Sequence, residues 1–113
     1  MTWRTELLDK SLGTLSSTAE AQLEYLRKIE LPELIDELAL EFDDMAVAAG
    51  DMLQRHEIVE DQYRSVKSLQ DLLKRMSSQS NAKLWTSEVL ASAQEWETVR
   101  KMASECLRLL NGS

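Results

Sequence analysis

One cysteine, one proline, one histidine and three glycines are all that this 113-residue chain offers of the residues that staple, break or activate a fold. The lone Cys106 excludes an internal disulfide and a paired-cysteine redox motif, and it fits a reducing compartment. The lone His56 has Leu53 three residues before it, so the two Glu-x-x-His pairs of a dinuclear carboxylate centre cannot be assembled from one chain. No second histidine or cysteine stands ready to activate Cys106 as a nucleophile. Zinc-ligand spacing, Walker loops and glycine-rich phosphate cradles are also absent. The sequence therefore nominates no catalytic residue, no metal ligand and no cofactor site, and the expectation is a protein that is not an enzyme.

Other absences bound the setting. No stretch approaches the roughly 18 apolar residues of a membrane span, and Met1-Thr2-Trp3-Arg4 has neither the apolar run nor the small-residue cleavage site of a secretory signal. A cytoplasmic protein is expected. A net charge of -7 with no basic-aromatic patch argues against nucleic acid and against anionic membrane. Any charged partner is expected to be basic.

What the chain has in quantity is long, unbranched helix formers, with 43% hydrophobic residues and only 5% aromatics, the composition of helical bundles rather than sheets. Apolar positions repeat at alternating steps of four and three. The first series, Leu8, Leu12, Leu15, Ala19, Gln22, Leu26 and Ile29, predicts one helix over residues 3–29. Pro32 favours a turn before it and a new helix at it. The second series runs Leu31, Ile35, Leu38, Phe42, Met45, Ala49, Met52, His56, Val59, Tyr63 and Val66, with Gly50 as its only breaker. Ser77-Ser78-Gln79-Ser80-Asn81 reads as a loop, and Trp85, Val89, Trp96, Val99, Ala103, Cys106 and Leu110 mark a last helix over residues 82–110. The expected fold is all-α and a single domain: an antiparallel bundle or coiled coil of three long helices, with a break at Gly50 converting it to a four-helix bundle. At 1.5 Å per residue an unbroken middle helix of about 67 Å would overhang neighbours of about 40 Å, and a second copy of the chain would then be needed to cover it.

Charge is distributed unevenly along this framework. Residues 30–61 hold eleven acids against Arg55, whereas residues 62–84 hold Arg64, Lys67, Lys74, Arg75 and Lys83 against Asp71. The densest run, from Glu33 to Asp44, places Asp36, Glu37, Asp43 and Asp44 at heptad positions b and c, on the polar face of a helix whose seam is Ile35, Leu38, Phe42 and Met45. Leu40 and Val47 at position f widen the apolar surface on the far side. Folding residues 51–76 back on 32–49 would bring Arg64, Lys67, Lys74 and Arg75 beside these acids, and so would antiparallel pairing of two copies as a homodimer. Roughly six acids would still be unmatched.

The remaining candidates are packing residues or contacts. His56 and Cys106 fall on seams, which makes them core or boundary residues. Trp85 and Trp96 stand eleven residues apart, three helical turns, and so share one helix face as core anchors or interface contacts, while Trp3, near the terminus, is expected as a contact residue. Met52-Leu53-Gln54-Arg55-His56-Glu57 and Glu95-Trp96-Glu97-Thr98-Val99 resemble parts of a spectrin-type repeat, but the seam before Met52 runs on where such a repeat has a loop, and no membership is assigned. The functional expectation is a helical protein-protein interaction module, a small subunit or adaptor that binds through Asp36, Glu37, Asp43, Asp44, Trp3, Trp85 and Trp96. The rival expectation is a small acidic inhibitor of antitoxin or immunity type that covers a basic surface.

Overall fold

The computed structural model describes residues 3–32, 34–77 and 83–112, and within them every regular element is helical. Seven α-helices follow one another: α1 (Trp3–Ser16), α2 (Ala19–Lys28), α3 (Asp36–Ala46), α4 (Ala49–Gln54), α5 (Glu60–Met76), α6 (Ser87–Leu90) and α7 (Gln94–Leu110). A short 3₁₀ turn at 83–85 precedes α6. The three long helices expected from the seams are therefore each interrupted.

The first break falls at Ser17-Thr18. Ser16 and Ser17 turn their hydroxyls back to the Gly13 carbonyl, at 3.1 and 2.7 Å, which offers the backbone an alternative to continuing the helix. Thr18 then adopts an extended conformation and accepts the Ala21 N–H as the N-cap of α2. Gln22, fully buried, donates to the Thr14 and Leu15 carbonyls in the last turn of α1. Its own amide oxygen accepts from Arg100 of α7, whose guanidinium also bonds the Leu90 carbonyl at the end of α6. A polar hub thus joins two helix ends to a third helix.

The ends of α2 and α4 are built alike. Leu31 N–H bonds the Leu26 carbonyl and Glu30 N–H that of Arg27, while Glu57 N–H bonds Met52 and His56 N–H bonds Leu53. Both are Schellman motifs, and both place a non-glycine residue in left-handed geometry, Glu30 at φ 63° and His56 at φ 61°. His56 is therefore an exposed turn residue and not the seam residue expected. Val59, next on the expected seam, is also exposed, whereas Ile58 between them enters the core. The middle segment reverses here. Gly50 lies inside α4, and the smaller kink at Val47-Ala48 keeps near-helical backbone. Helix α3 also starts later than expected, after a series of tight turns from Leu31 to Leu38.

The last segment breaks at Ala91-Ser92-Ala93, where Val89 O accepts from both Ser92 and Ala93 and the chain restarts as α7. Trp85 and Trp96 consequently do not share a helix face. They meet edge to face across this break, with ring centroids 5.3 Å apart at 82°. Their indole N–H groups bond the Met76 and Leu84 carbonyls, at 2.7 and 2.6 Å. The expected loop at 77–81 lies mostly outside the described residues, as does Glu33.

Helices α1, α3, α5 and α7 close a ring in which α1 packs on α3 and α7, and α5 packs on the same two. Their ends fix the directions. Arg4 at the start of α1 reaches Asp51 and Glu57 beyond the end of α3, Asp9 accepts from Asn111 at the end of α7, and Gln62 early in α5 donates to Leu109 late in α7. Neighbours in the ring therefore run antiparallel, and Leu8, Phe42, Leu69 and Trp96 meet between them, each 0% exposed. The radius of gyration of 13.7 Å is close to the roughly 13 Å of a compact domain of about 100 residues. The longest dimension is 39 Å, so no 67 Å middle helix overhangs the rest.

Candidate protein-binding groove

A surface cleft runs along the outer side of the α1–α3 contact. Trp3, Leu7, Lys10 and Thr14 follow one another on α1 at steps of four, three and four, and Glu37, Glu41 and Asp44 do so on α3, so each set forms one stripe along its helix. Leu7, Lys10 and Thr14 face Glu41, Asp44 and Met45 across a cleft of about 500 Å³, floored by Ser11, Tyr25 and Ile29. That volume falls within the range of sites that seat a side chain or small ligand. Leu7 on one wall is 42% exposed, and Leu40 and Val47 on the outer side of α3 are 53% and 70% exposed. Trp3 is 69% exposed one helical turn before Leu7.

Tyr25 fixes the inner wall. Its hydroxyl lies 2.6 and 2.8 Å from the two Glu41 carboxylate oxygens and donates to that carboxylate. Burial, then the Glu41 hydrogen bond, push the phenol up to about 12. Glu41 is thereby held against α2, while Asp44, one turn further on, projects to solvent. At the other end, the Glu57 and Asp51 carboxylates raise the Arg4 guanidinium above its ordinary range, and Arg4 holds the Asp51 carboxyl below its own. This ion-pair cluster, which Arg55 joins through Asp51 at 3.1 Å, clamps the start of α1 to α4 and the turn after it.

The residues nominated from sequence separate into three groups. Asp36 and Asp44 are exposed on α3, Glu37 is half-buried beside Tyr25, and Trp3 is exposed. Asp43 is bound internally: it accepts from Gln70 of α5 at 2.9 Å, and Gln70 in turn accepts from Lys67 at 2.7 Å. Complementarity between the acidic and basic halves is thus relayed through a buried amide at this point. Arg64, expected to face the acids, pairs instead with Glu60 on its own helix at 3.3 Å. Trp96 is fully buried and Trp85 packs on it, so neither belongs to the groove. Leu7, Tyr25 and Met45 are the groove residues the sequence reading missed. Leu7 had a signal, since it stands off the seam one turn after Trp3, but Tyr25 meets Glu41 only because the chain breaks at Thr18.

A second cleft, of about 450 Å³, lies where the α1–α2 junction meets α7, lined by Ser17, Thr18, Arg100, Lys101 and Arg108. Its bases are matched by Glu97 and Glu105, so it offers little unspent charge. Cys106 is buried, its thiol pushed up by burial, and it lies 2.8 Å from the Ser65 hydroxyl. Among the described residues no three His, Cys, Asp or Glu side chains gather as metal ligands, and no helix is long and apolar enough to cross a membrane. No family model, curated protein or solved structure matches the chain.

Proposed function

We propose that this chain is a non-catalytic helical interaction module that binds a protein partner through the α1–α3 face. The observation that carries the reading is the open cleft whose apolar lining is Leu7, Ile29 and Met45, with Leu40 and Val47 exposed separately on the outer side of α3. Solvated helix faces do not need apolar side chains, and an exposed apolar cleft is a mark of association. The acidic-inhibitor reading has its own support in Asp36 and Asp44, which remain outward while Asp43 is tied to Gln70.

A photo-crosslinking residue placed at Leu7 or Val47 tests the module. In extract of the source cells it should capture a discrete protein that the same group placed at Lys101, on α7, does not. Equal labelling from all three positions, or none from any, would remove the α1–α3 face as a binding surface.

A further inference from the structure

We infer that the occupant of the α1–α3 groove is a basic amphipathic helix of a partner protein, a deepening that rests on the interaction-module reading above. Shape supplies the first argument. The groove runs between two antiparallel helices, so a third helix laid along it would pack as helices ordinarily do, with one apolar side chain entering the cleft between Leu7 and Met45.

Charge supplies the second argument and selects the occupant. The α3 wall of the cleft carries Glu41 and Asp44, with Glu37 one turn before Glu41 on the same stripe, while Lys10 is the single base among the described lining residues. A second copy of this chain would bring the same acids against themselves at a net charge of -7 per molecule. An acidic or neutral helix would leave Asp44 unpaired at the rim. A helix with lysine or arginine flanking its apolar stripe meets both requirements, gaining orientation and rate of encounter from the acids and contact from Leu7, Ile29 and Met45.

The experiment uses the full chain and three designed peptides of about 18 residues, long enough for marginal helicity. One is a Leu/Lys peptide with leucine at helical spacing, one has the same composition with the leucines dispersed, and one is a patterned Leu/Glu peptide. Binding is followed by amide chemical shifts. The patterned Leu/Lys peptide should bind most tightly, with shifts centred on Leu7, Asp44 and Met45. Asp44→Lys should weaken it about fivefold or more, whereas Glu95→Lys, an equal change of net charge on α7 diagonally across the ring, should not. Leu7→Asn should weaken it similarly without altering the charge.

Equal binding of the dispersed peptide, equal loss in Glu95→Lys, or shifts centred elsewhere would show bulk attraction and overturn the proposal. Preferential binding of the Leu/Glu peptide would reverse the partner's sign. Concentration-dependent light scattering abolished by Leu7→Asn would make the occupant a second copy. In the last two cases position-specific crosslinking from Leu7 would persist, so the interaction module would survive while its basic partner fell. Loss of that crosslinking as well would end both.

Discussion

Tyr25 and His56 show how far single side chains are set by contacts remote in sequence. Tyr25 stands on α2, yet its hydroxyl donates to Glu41, sixteen residues on. Because the folded phenol is raised to about 12 from an ordinary value near 10, the stabilisation is complete below about pH 10 and is lost as pH rises through 12. A near-ultraviolet absorbance titration should resolve one tyrosine near 12, absent in Tyr25→Phe. Ordinary titration of both tyrosines in the wild type would mean that the Tyr25–Glu41 contact does not form in solution. His56 occupies a left-handed position that costs an L-residue roughly 1–2 kcal/mol, and glycine gives part of that back in chain entropy. His56→Gly should therefore raise stability by about 0.5–1 kcal/mol in chemical denaturation. A loss of stability would mean that the imidazole makes a contact worth more than the strain.

At the scale of helices, the sequence marked which residues are buried better than where helices end. Leu8, Leu12, Leu15, Gln22 and Leu26 all enter the core as their spacing indicates, although α1 and α2 are separate helices. The phase survives because the two-residue break at Ser17-Thr18 preserves the side of the chain that faces inward. A heptad pattern reports facing, not backbone continuity, and Arg55 to Val59 carries neither glycine nor proline to announce its reversal. The cause of that reversal is tertiary: Ile58 is drawn into the core while Glu57 is held by Arg4. Gly50, the obvious breaker, is helical, and a methyl group added there meets nothing within 4 Å. Gly50→Ala should then stabilise by up to about 1 kcal/mol, as for a glycine in a helix interior. Destabilisation would place a turn at Gly50 after all. The α1–α2 break makes the opposite kind of prediction. Gln22→Leu keeps the seam apolar but removes the side-chain donor to the Leu15 and Thr14 carbonyls and one of the acceptors of Arg100, a loss of about 1–3 kcal/mol. A neutral or stabilising outcome in the same denaturation series would favour the continuous first helix.

For the whole molecule, the division into an acidic and a basic half was legible, but its use was not. Sequence proximity grouped Asp36, Glu37, Asp43 and Asp44 as one stripe, whereas the helix turns them to different surroundings. Asp43 points toward α5 and is bound by buried Gln70, itself held by Lys67, while Asp36 and Asp44 lie outside. The groove was less legible still, because its cleft exists only once α2 crosses behind α1 and α3. These placements make charge reversal position-specific. Asp43→Lys leaves the Gln70 amide without its acceptor and sets a second ammonium near Lys67, so stability should fall by about 1–3 kcal/mol. Part of that loss should return between 0.1 and 1 M salt, as the Debye length shrinks from about 10 to about 3 Å, since salt screens the repulsion but cannot restore the hydrogen bond. Asp36→Lys with Asp44→Lys changes the net charge more, yet should shift stability by no more than about 0.5 kcal/mol, as exposed substitutions do. Thermal or urea melts at low and high salt separate the two variants. Equal destabilisation would mean that the stripe acts as one electrostatic unit against α5, and it would leave no outward acid for a basic helix to meet.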